Sequence, residues 1–97
     1  MTKTSAQLSS QSVNELNYYY EAAKTKHPNM YSLSHRLLHI TEELGEAVKE
    51  FNDFHSMQNY TETGWNEMKD RIKEELYHVA VTAIRTIEEN INENDIL

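Results

Sequence analysis

Cysteine is absent from the chain, glycine occurs twice and proline once. Without cysteine, disulfides and thiolate metal sites are excluded, and no redox compartment can be read. So few glycines and prolines in 97 residues leave few places to turn, which favours a few long helices. No apolar run approaches the length needed to cross a bilayer. The opening "MTKTSAQLSSQS" lacks the apolar core of a signal peptide. The expectation is a soluble cytoplasmic protein with no membrane partner. Positive charge is also scarce: nine Lys and Arg against sixteen Asp and Glu give a net charge of −7. That balance argues against a nucleic acid polymer as partner, because phosphate backbones require Lys/Arg-rich faces. It leaves nucleotides open, since a divalent cation can bridge acidic protein to acidic ligand.

What is present reads as one small domain with a modest core. Residues 1–10 form a polar arm, and 11–97 a single helical domain. Ser12 to Thr25 reads as a first helix, with Val13, Leu16, Tyr20 and Ala23 on one face, ended by "KHPN". A second helix starts near Ser32 or Ser34, either a suitable N-cap. Its apolar residues Leu33, Leu37, Ile40, Leu44, Ala47, Phe51 and Phe54 follow the i, i+4, i+7 rhythm. "SMQNYTETGW" interrupts the pattern, with Gly64 as the turn residue. A third helix spans about Asn66 to Asn90, its stripe of Ile72, Leu76, Val79, Ala83 and Ile87 widened by Ala80, Ile84 and Ile91. The fold expected is an all-α antiparallel bundle of about three main helices. A stripe too wide for one neighbour implies completion by oligomerisation.

Glu-Glu-Leu occurs twice, in "EELGE" (42–46) and "EELYH" (74–78). Each copy carries an i, i+3 pair able to hold a metal: Glu43/Glu46 and Glu75/His78. At about 100° per residue, Glu43 and Glu46 lie roughly 70° and 130° from the centre of the second helix's apolar stripe. Glu75 and His78 lie roughly 80° and 140° from the third helix's stripe, in the same rotational sense. Antiparallel packing then places both pairs on one side of the seam, and the residue numbers place them at one height. One such pair is ordinarily a solvated helix face. Two pairs matched in angle and height form a ligand set. Two carboxylates about 4 Å apart repel by roughly 4 kcal/mol at an effective dielectric of 20, which protonation or a cation relieves. Hard oxygen ligands on facing helices suit Mg²⁺ or Mn²⁺ with bound phosphates.

At these residues the sequence resembles the MazG-like all-α NTP pyrophosphohydrolases. That superfamily is marked by Glu-x-x-Glu on one helix and Glu-x-x-Asp on the next, and includes dimeric dUTPases and phosphoribosyl-ATP pyrophosphatases. Glu43, Glu46 and Glu75 match the motif positions, Glu42 is the frequent preceding acid, and His78 stands where the family has aspartate. The resemblance covers about residues 12 to 90, with its specificity in the two short motifs. It implies Mg²⁺-dependent cleavage of a nucleoside triphosphate between the α and β phosphates, by a homodimer or homotetramer of helical bundles. It implies Glu43, Glu46, Glu75 and His78 as metal ligands, and Glu42 as the base that orients water. A neutral imidazole at 78 removes one negative charge and shifts preference toward Mn²⁺, Fe²⁺ or Zn²⁺. Three outcomes stay open: an altered-metal enzyme, one that tolerates the change, or a catalytically degenerate member.

Other residues are candidates for substrate contact. Arg85 lies two turns beyond His78 on the same flank, and Lys49 and Arg71 lie within reach; for each, an ordinary surface ion pair is the alternative. Trp65 is a candidate for base stacking, against simple packing. His35 and His39 are spaced i, i+4 with no third ligand in view, and read as solvated. Two rival functions remain. One takes Glu75-Leu-Tyr-His78 literally as the Glu-x-x-His of a di-iron carboxylate bundle. The other is a degenerate nucleotide-binding or oligomerisation module without turnover.

Overall fold

The computed structural model describes residues 6–56 and 61–92. Residues 1–5 of the expected arm, 57–60 of the expected loop and 93–97 lie outside the described residues. Three helices follow in order: α1 (Ser10–Lys26), α2 (Leu33–Ser56) and α3 (Glu62–Arg85), the last continuing in π-helical geometry over Thr86–Asn92. The chain is all-α, as its periodicity requires.

Local chemistry sets the helix ends. Ser9 caps α1, its side chain accepting from Ser12 N at 3.1 Å, so the helix starts within the expected arm. Lys24 and Lys26 occupy its last turn, where cations offset the helix dipole, and Pro28 follows two residues beyond. Between the two candidate caps of α2, Ser32 serves: its Oγ accepts from His35 N at 3.2 Å. The third helix begins four residues earlier than expected, and Gly64 lies inside it. Thr61 is the N-cap, its Oγ1 accepting from Gly64 N at 2.9 Å. A Cβ at Gly64 would sit 3.0 Å from that Oγ1 and 3.4 Å from Phe54 Cε1. Glycine is needed there for close approach, not for a turn.

α2 and α3 pack antiparallel. Glu43 meets His78, and seven residues on along α2 Glu50 meets Arg71, seven residues back along α3. α1 runs parallel to α3, with Glu15 on Lys73, Tyr19 stacked on Tyr77 and Ala23 beside Arg85. Among the described residues α1 packs on α3 and not on α2. An open cleft therefore separates α1 from α2, floored by α3.

The seam between α2 and α3 is rotated from the expected leucine-centred stripe. Its least exposed line on α2 is Arg36, Ile40, Glu43, Ala47, Glu50 and Phe54; the matching line on α3 and its π-helical continuation is Met68, Ile72, Glu75, Val79, Thr82 and Thr86, beside the buried Val81 and Arg85 that line the cleft. Both step by four and three, the spacing of a supercoiled seam. Leu37, Leu44, Phe51, Leu76, Ile87 and Ile91, expected to be inward, are about half exposed. So is Val13 on α1. α2 and α3 thus each bury one edge of their apolar stripe within the chain and leave the rest, about 100° round, uncovered, while no described residue of α1 is buried. The radius of gyration is 16.4 Å, against about 12.5 Å for a compact chain of this length, and the thinnest extent is 22 Å. The chain is a flat layer with one apolar face bare.

Candidate metal and ligand site

The rotated seam carries the doubled motif into its own middle. Glu43, Glu75 and His78 each bring one potential ligand atom within 4.8 Å of the others. His78 Nδ1 lies 3.6 Å from Glu43 Oε2 and 3.9 Å from Glu75 Oε1. The edge of its ring meets Tyr19 of α1, centroids 5.5 Å apart. Glu46 is more exposed, yet it shares a hydrogen bond with Glu75. The two pairs therefore meet at one level. Glu43 and Glu75 stand in the helix contact itself, rather than beside it as their helical angles implied.

Burial pushes the Glu75 carboxyl above the usual carboxylate range, followed by the shared hydrogen bond and charge of Glu46. Glu43 adds to the rise, and His78 opposes it. Among the described residues, Glu75 Oε2 is buried without a hydrogen-bond partner. An orphaned carboxylate oxygen among two further acids and an imidazole is a donor set that a divalent cation fits. Two neighbours adjoin the cluster: Thr82, missed from the sequence, and His39, read there as a solvated histidine near the same flank and here half exposed. Thr82 Oγ1 donates to Glu43 Oε1 at 3.2 Å, and His39 Nε2 lies 3.4 Å from the same oxygen. Thr82 is four residues beyond His78, so helical spacing alone places it on the same face.

The cluster opens onto the cleft between α1 and α2, a cavity of about 520 Å³. Glu43, His78 and Thr82 line one end, and Tyr18, Tyr19, Tyr31 and His35 contribute aromatic wall. His35 stacks on Tyr31, with centroids 4.5 Å apart. Arg85 lines the same cleft, as its flank position implies, but it is buried and held by Glu89. Arg36 of α2 joins it there, a residue that stood out neither as ligand nor as core.

The remaining candidates are placed elsewhere. Lys49 is exposed and paired to Asp53 at 2.6 Å. With Glu46, Glu50, Arg71, Glu74 and Glu75 it lines a second pocket of about 310 Å³ on the other side of the acids. Trp65 does not line the cleft. It stands against Phe54, centroids 5.6 Å apart, ten residues before Glu75 on α3, and is 43% exposed. Glu42 is exposed and does not line the cleft either. No helix among the described residues is long and apolar enough to cross a membrane. No protein-family model matches the chain, and comparison with curated proteins and with solved structures finds no match.

Proposed function

We propose that the chain is a metal-dependent nucleoside triphosphate pyrophosphohydrolase of the MazG-like all-α kind, converting (d)NTP to (d)NMP and pyrophosphate. One observation carries this: Glu43, Glu75 and His78 converge within 4.8 Å, with Glu46 bonded to Glu75, at the mouth of an aromatic-walled cleft. Glu43, Glu46, Glu75 and His78 would hold Mg²⁺ or Mn²⁺. The cation would supply charge neutralisation for the polyphosphate and a lowered pKa for bound water. Glu42 is the acid assigned to orient that water from the exposed side. Tyr19 packs edge-on against the His78 ring, and the Thr82 hydroxyl holds one Glu43 oxygen, which would orient these ligands toward a cation.

The bare face of α2 and α3 supports a homo-oligomer. Leu44, Val48, Phe51 and Leu76 are each close to half exposed, and an isologous contact buries such a face twice over. The histidine at 78 favours a second reading, in which the cluster binds nucleotide without turnover.

The test is pyrophosphate release from a panel of ribo- and deoxyribonucleoside triphosphates with Mg²⁺ and Mn²⁺ separately, run beside Glu43→Gln and His78→Asp. Release that disappears in Glu43→Gln establishes the enzyme. Release only from His78→Asp establishes the degenerate binder. Silence from all three proteins rejects pyrophosphohydrolysis.

A further inference from the structure

Two guanidinium groups are buried at the inner end of the cleft, and one carboxylate serves both. Arg36 is 3% exposed and Arg85 4%. Glu89 Oε1 accepts from Arg36 Nη2 at 2.6 Å and from Arg85 Nη2 at 3.3 Å, while its Oε2 accepts from Arg85 Nε at 2.8 Å. Arg85 Nη1 also reaches the Ala23 carbonyl at 3.5 Å, and the Arg36 guanidinium lies 5.8 Å from the Tyr31 ring centroid. Among the described residues Glu88 pairs with neither arginine; its carboxylate accepts from Tyr20 Oη at 2.7 Å. Arg36 Nε is buried with no partner. Among the described residues, one positive charge is left over.

Buried charge is stable when it is matched and its hydrogen bonds are filled. Among the described residues both conditions fail by one group, in a chain whose net charge is −7. A surplus cation in the interior of so acidic a protein calls for an anion from outside. Burial holds the Arg36 guanidinium below its ordinary pKa, the pull of Glu89 failing to offset burial and repulsion from Arg85.

Position tells which kind of anion fits. Arg36 lies seven residues before Glu43 on α2, and Arg85 lies seven residues beyond His78 on α3. Because the helices are antiparallel, both arginines fall on one level, two turns or about 10 Å from the carboxylate cluster. All four residues line the same cavity. It therefore has an acidic end that fits a cation and a basic end that fits an anion.

We infer that Arg36 and Arg85 form an anion subsite that takes a phosphate group, so that one polyphosphate-bearing ligand spans the cleft from the carboxylates to the arginines. Guanidinium N–H groups match phosphate oxygens in geometry and charge. That the phosphate belongs to a nucleotide rests on the function proposed above; the surplus charge does not.

The experiment titrates inorganic pyrophosphate into the metal-free protein in EDTA at pH 7 and low salt. Calorimetry and the Nε–H resonance of Arg36 are followed together. Wild type should bind pyrophosphate without metal, with the Arg36 Nε–H resonance shifting along the binding curve. Arg36→Met leaves one guanidinium to one carboxylate; it should weaken binding at least tenfold while unfolding at no lower temperature than wild type. Absence of binding by wild type overturns the subsite, as does binding that leaves the Arg36 resonance in place. Equal affinity in Arg36→Met also overturns it, by assigning the pyrophosphate to the surface. A much less stable Arg36→Met with an unmoved wild-type resonance makes the three side chains a structural triad only. Pyrophosphate binding at Arg36 without nucleotide turnover would keep the subsite and reject the enzyme; turnover without such binding would do the reverse.

Discussion

Replacing Glu75 by glutamine should stabilise the metal-free protein and destabilise the metal-loaded one. The amide keeps the shape of the side chain and can still donate to Glu46, while its charge is gone. The ligand atoms of Glu43 and Glu75 lie within 4.8 Å, where two unit charges repel by about 3.5 kcal/mol at an effective dielectric of 20. The two side chains are 12% and 21% exposed. Solvent screening then reduces the gain on removing one charge to about 1–2 kcal/mol. For a chain of this size that is a rise in melting temperature of roughly 5–10 °C, at fixed protein concentration in EDTA and pH 7. A cation at a hundred times its dissociation constant would stabilise wild type by about 2.7 kcal/mol, and Glu75→Gln should lose most of that shift. The order of the two melting temperatures therefore inverts when Mg²⁺ or Mn²⁺ is added.

The pH dependence has a definite sign. Burial, then Glu46, raise the folded-state pKa of Glu75, so the native state keeps a proton that the unfolded chain has already released. Stability of the metal-free wild type must then fall as pH rises from the ordinary glutamate range through the raised value. Glu75→Gln lacks that fall. The gap between the two proteins should be small near pH 4 and open toward neutrality, as followed by circular dichroism. A variant less stable than wild type in EDTA at pH 7, or one that keeps the full metal-induced shift, refutes the account of the cluster.

Glu89→Gln should behave in the opposite way. Burial alone would raise the Glu89 pKa, but the Arg85 hydrogen bond and the charges of both arginines outweigh it and lower the value. Its contribution is thus present above the ordinary glutamate pKa and is lost as pH falls through the lowered one. At pH 7 the variant, left with two buried arginines and no counter-charge, should lose about 3–5 kcal/mol in urea titrations. Its deficit relative to wild type should shrink on acidification to pH 3, and a constant deficit would deny Glu89 this role. Leu44→Glu tests the bare face. Covering a leucine gains about 1.5–3 kcal/mol, and an isologous contact loses it twice. Sedimentation should show self-association weakened about 10²- to 10⁴-fold; unchanged association would place any interface elsewhere.

The parts of this structure that were legible in the sequence are those governed by local rules. Pro28 and the two lysines before it end α1, and the motif numbering gave the antiparallel register in which Glu43 meets His78. What was not legible depended on which edge of a wide apolar stripe the chain covers by itself. Leu44 and Ala47 both belong to the stripe, yet Ala47 is buried and Leu44 is not. Periodicity weighs them equally, because it records apolar surface and not its occupant. The same limit hid Arg36. A lone arginine near a helix start reads as solvated, and its burial depends on Glu89, fifty-three residues further on. The π-helical stretch that carries Glu89 also buries Asn90, whose Nδ2 donates to the Tyr31 carbonyl at 2.8 Å. This tertiary contact ties the π-helical stretch to the residues just before α2. Helical spacing could find the acidic half of the cleft because its members repeat within each helix. Of the basic half, spacing from His78 found Arg85 but not Arg36, which joins it across helices through Glu89, so folding was needed to reveal the pair.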